Sequence, residues 1–108
     1  METRILYVTV GNVEEARLIA RTMVEERLVA CANLLPPVES FFWWEGKVQS
    51  EQEIVLILKT TEEKTSEATE RIKALHSYSC PCVIALPVVG GNVDFLDWIK
   101  AETSEKKP

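Results

Sequence analysis

A chain of 108 residues is long enough for one domain with a real core and too short for two. Hydrophobic residues make up 46% and charged residues 27%, an ordinary mix for a globular domain, and a formal net charge of −5 argues against the clustered Lys and Arg that a nucleic-acid partner requires. Its apolar runs are too short to span a bilayer, and three cysteines (an odd count, with no secretory leader in view) fit a reducing cytoplasm better than a disulfide framework.

Arg4 to Val10 is β-branched and aromatic, which predicts a first strand ended by Gly11-Asn12. Asn12 with Glu15 three residues on is a helix start, and apolar residues at 13, 16, 19, 20, 23, 24 and 28 form one stripe of a helix from Val13 to Leu28. Val29 to Leu35 begins a second strand. Pro36-Pro37 must interrupt its ladder, because neither residue donates an N–H, and Val38 to Trp44 resumes it. Glu45-Gly46 is a two-residue turn, and Lys47 to Lys59 returns as a third strand, so residues 30–59 form one long hairpin. Thr60-Thr61-Glu62-Glu63 has the pattern of a capping box opening a second helix, with Ala68, Ile72 and Leu75 on its inner side. Pro81 ends that segment. Val83 to Val89 is a fourth strand, which Pro87 marks as an edge or bulged one. After Gly90-Gly91, Asn92 caps a last short helix expected to bury Phe95, Leu96, Trp98 and Ile99.

The order is β-α-β-β-α-β plus a terminal helix. This is an α+β fold, the ferredoxin-like βαββαβ sandwich with an extra C-terminal helix and a long hairpin between the second and third strands. One domain is expected over 1–103, with 104–108 a frayed tail.

Two main helices can cover only one face of such a sheet. If the other face met water, the strands would alternate apolar and polar. Instead Ile5-Leu6-Tyr7-Val8, Ile54 to Leu58 and Val83 to Leu86 are apolar on both parities. Another copy of the chain is the economical cover. Phe41-Phe42-Trp43-Trp44 puts aromatics on both sides of a projecting hairpin, and Trp43 and Trp44 are expected at an intersubunit contact.

Glu25 to Asn33, Trp44-Glu45-Gly46-Lys47, Leu58-Lys59-Thr60, His76-Ser77-Tyr78 with Pro81, Leu86-Pro87-Val88 and Phe95 to Ile99 together resemble the CutA divalent-cation-tolerance family in order and spacing, over nearly the whole chain. The resemblance implies a ferredoxin-like fold, a cytoplasmic homotrimer formed by strand pairing between subunits, and a role in the response to copper and other divalent metal ions. The chain departs from the family where that reads His-Pro-Tyr-Glu and then Pro-Glu. Here Ser79 and Cys82 stand where the two acids would be. Of the copper ligands proposed in the family, a thiol on the first strand is matched by Val8, a second histidine by Leu75, and only His76 carries over.

His76, Cys80 and Cys82 are the candidate metal ligands, since two thiolates and an imidazole suit Cu or Zn. Free cysteines are equally at home as small apolar core residues, and Cys31 among alanines is read that way. Tyr78 and Trp44, with Lys59 at a strand end, could line a cleft between subunits for a small anion or nucleotide, as in trimeric signalling proteins of the same fold. An enzyme is not expected. No nucleophile has a positioned base, and the loop after the first strand lacks the Arg of acylphosphatases and the Cys pair of metallochaperones.

Overall fold

The computed structural model describes residues 2–104. Seven elements follow one another: β1 (Thr3–Val10), α1 (Val13–Glu25), β2 (Cys31–Trp44), β3 (Lys47–Thr61), α2 (Glu62–Leu75), β4 (Val83–Pro87) and α3 (Val93–Thr103). The four strands form one antiparallel sheet in the order β2-β3-β1-β4, the ferredoxin-like arrangement expected from the element order. Of the expected tail, Ser104 caps α3, and 105–108 lie outside the described residues.

On the helix side of the sheet, Leu6, Val8 and Val10 of β1 and Leu56 and Leu58 of β3 meet Ala16, Ile19 and Met23 of α1 and Ala68 and Ile72 of α2, all fully buried. Asn12 caps α1 by accepting from the Glu15 amide at 2.9 Å. Helix α1 ends at Glu25, three residues before the apolar stripe does. Arg27 takes φ +59°, and its N–H and that of Leu28 return to the carbonyls of Val24 and Met23, a Schellman closure with Arg where Gly is usual.

Two expected details change. Thr61 caps α2 without a side-chain hydrogen bond, so no capping box forms; Thr60 is buried and its hydroxyl donates instead to the Leu28 carbonyl at 2.7 Å. Of the four α3 residues expected inside, only Ile99 is buried. Phe95 and Trp98 stack on each other at 5.4 Å and stay 43% and 41% exposed, because the described residues offer them nothing further to pack on.

The hairpin behaves as its sequence dictates. Pairing slips between Leu35 and Val38, where Pro36-Pro37 leave no donors. Glu45 and Gly46 turn with φ +52° and +77°, both left-handed, as a two-residue hairpin turn requires. Past the helices, Phe41, Trp43 and Val48 share one side of this arm and stand in solvent. The opposite side of the arm carries the site.

Candidate functional site

Residues paired across an antiparallel ladder point the same way. The pairs Phe42–Gln49 and Ser40–Glu51, and Trp44 beside them, therefore lie on the sheet face away from α1 and α2. Glu53, two residues along β3 from Val55, and Thr9, paired opposite Val55, share that face. The loop after α2 folds back over this side. Together they enclose an open cavity of about 710 Å³, walled by Phe42 and Trp44, floored by Thr9, Gly11 and Glu53, and rimmed by Glu51, Tyr78, Cys80 and Cys82.

His76 pins the loop. Its ring is buried; Nε2 lies 2.7 Å from the Thr9 carbonyl, and Nδ1 accepts from the Tyr78 amide at 3.1 Å. A carbonyl can only accept, so Nε2 carries the proton and Nδ1 spends its lone pair on Tyr78. Glu15 Oε2, 3.4 Å from Nδ1, is held by the Ser77 amide and hydroxyl. Tyr78 then lies beside the His76 ring at 4.6 Å and reaches Glu53, donating to Oε2 at 3.0 Å. Gly11 allows this. A Cβ there would stand 3.1 Å from the Tyr78 hydroxyl.

The Tyr78 hydroxyl is pushed up to about 12, by burial first and then by the hydrogen bond to Glu53 and the charges of Glu53, Glu51 and Glu15. A raised pKa means the fold favours the neutral phenol. That preference is complete below pH 10, where the unfolded chain also keeps its proton, and is lost as pH rises from about 10 to about 12. The difference absorbance between the protein and Tyr78→Phe near 295 nm is expected to titrate with a midpoint near 12; a midpoint near 10 would contradict the burial of the hydroxyl against Glu53.

Of the residues singled out from sequence, Trp44, Tyr78, Cys80 and Cys82 share the cavity. Trp43 points to the other side of the arm and is 74% exposed. Lys59 lies apart, donating to Asn33 and standing 5.9 Å over the Phe95 ring. His76 has no free nitrogen to join the cysteines, and no three His, Cys, Asp or Glu side chains among the described residues are grouped to hold a metal. Glu53 and Gly11 were missed. The two-residue alternation through Val55 and Ile57 places Glu53 on the apolar second face and was the available signal for it.

A four-stranded antiparallel α+β sandwich with three helices, a long hairpin arm and a cavity at the arm's root places the molecule among the small ferredoxin-like proteins. Residues 4–102 match the model of the CutA1 divalent ion tolerance protein family, and the chain belongs to that family. It is 48% identical over 101 residues to the chloroplastic protein CutA 1 of Oryza sativa, covering 94% of this chain and 57% of the rice protein. It is 46% identical to the divalent-cation tolerance protein CutA of Archaeoglobus fulgidus, covering 87% of this chain and 91% of that one. The solved rice CutA1 structure superimposes with a TM-score of 0.94 at 45% identity, over 98% of this chain and 97% of the other. That of Thermus thermophilus gives 0.92 at 42% identity, over 94% and 99%.

Proposed function

We propose that the chain acts in divalent-cation tolerance as a homotrimer, binding its ligand rather than transforming it. One observation supports assembly above others. On the second face of β4, Ile84 and Leu86 are 51% and 44% exposed beside Tyr7 and Ile5, with nothing among the described residues to cover the rest. The outer strands β2 and β4 also leave backbone edges open to pairing with a neighbour. The number three rests on the family resemblance. Exposed Trp43 then serves as a contact between copies, with Trp44 at the edge of that contact and on the cavity wall. A cytoplasmic setting suits three unpaired cysteines, although named relatives include chloroplastic and periplasmic proteins.

For copper or zinc we assign Cys80 and Cys82, the thiols at the cavity rim, with His76 behind them as the brace of their loop. The protein carrying Cys80→Ser and Cys82→Ser is expected to lose at least tenfold in Cu(I) or Zn(II) affinity by competition titration. Unchanged affinity would remove the thiols from any metal site. A second reading, a small-ligand cleft, is favoured by the cavity itself, which has the volume and aromatic walls of a ligand site. A ligand of the native state should raise the thermal midpoint.

A further inference from the structure

The cavity holds a carboxylate that no cation among the described residues meets. Glu53 is only 8% exposed, and its one hydrogen bond among the described residues is the Tyr78 hydroxyl on Oε2. Among the described residues, neither lysine nor arginine lines the cavity. A carboxylate facing an open cavity gains from a positive group that meets it there. Glu51, two residues away on the same strand face, adds a second negative charge at the rim. An anion would be repelled here, which turns the charge of the expected cleft ligand around; Lys59, the cation the sequence offers to that cleft, is outside it.

The walls narrow the class of cation. Phe42 and Trp44 stand two apart on one strand face, and aromatic rings attract weakly hydrated cations that also have apolar surface to bury. A hard cation such as Mg²⁺ or Ca²⁺ needs several oxygen ligands converging on one point, and the described side chains form no such group.

We propose that the cavity binds a small organic cation, an alkylammonium whose charged head meets Glu53 and Glu51 and whose chain lies along Phe42 and Trp44. This rests on the small-ligand reading above and is independent of the thiol–metal one.

Three probes of equal length and different charge test it on the assembled protein: butylammonium, butanol and butyrate, followed by shifts of the tryptophan indole N–H resonances. Butylammonium should saturate, bind at least tenfold tighter than butanol, and leave butyrate without effect. Glu53→Gln, which keeps an oxygen for Tyr78, should weaken butylammonium at least tenfold. Glu51→Gln, on an exposed strand position that cannot unsettle the core, should weaken it by a smaller factor. Equal binding of butanol and butylammonium, or undiminished binding in folded Glu53→Gln, overturns the charge assignment while a small-ligand cleft stands. No saturable binding of any probe overturns both.

Discussion

Leu86→Glu is expected to turn the assembled protein into folded monomers at low micromolar concentration. Leu86 faces off the second side of edge strand β4, paired with Ile5, and is 44% exposed in the single chain. A carboxylate there meets water when the chain is alone, so the fold tolerates it. Covered by a neighbour, the same carboxylate loses water and finds no partner. Loss of a central interface residue costs roughly 2–4 kcal/mol, and a symmetric ring suffers it at every contact. Every 1.4 kcal/mol is about tenfold in the association constant. Sedimentation velocity beside far-ultraviolet circular dichroism separates the outcomes: unchanged dichroism with a smaller particle supports the account, whereas an unchanged particle takes Leu86 out of any interface.

The second large effect concerns stability. His76→Ala should lower it by about 3 kcal/mol, from a lost buried ring and two stranded hydrogen-bonding groups. The groups left behind are the Thr9 carbonyl and the Tyr78 amide, 2.7 and 3.1 Å from the imidazole nitrogens. The loss should appear in thermal unfolding at fixed protein concentration with chelator present, because the role is bracing and needs no metal. A variant as stable as the parent without metal, yet defective in metal affinity, would make His76 a ligand after all and require the loop to rearrange.

The strands and helices were legible because each carries local signals that the tertiary structure obeys. Pro36-Pro37 broke the ladder where the residue type forbids donation, and Asn12 and Asn92 capped the helices they precede. Thr60 shows where local pattern loses. Its hydroxyl has a stronger use on the buried Leu28 carbonyl than at a helix start, and the cap passes to Thr61. The site was half legible. Tyr78, Trp44 and the two cysteines are recognisable as chemistry-bearing residues, and they do meet. His76 carries the same chemical label, yet its partners are backbone groups 67 and 2 residues away, which no spacing rule foretells. Glu53 sat in a polar stretch, Gln49 to Glu53, that looks solvent-facing until the loop from α2 is laid across it. Phe95 and Trp98 have the pattern of a buried helix face, yet the described residues supply no surface that buries them.

The apolar second face ties these observations together, and the particle mass in solution tests it most directly. Native mass spectrometry of the unmodified protein, diluted through the micromolar range, should return three chain masses of 12.2 kDa each as one persistent species. A soluble, folded particle of a single chain mass across that range would contradict the account.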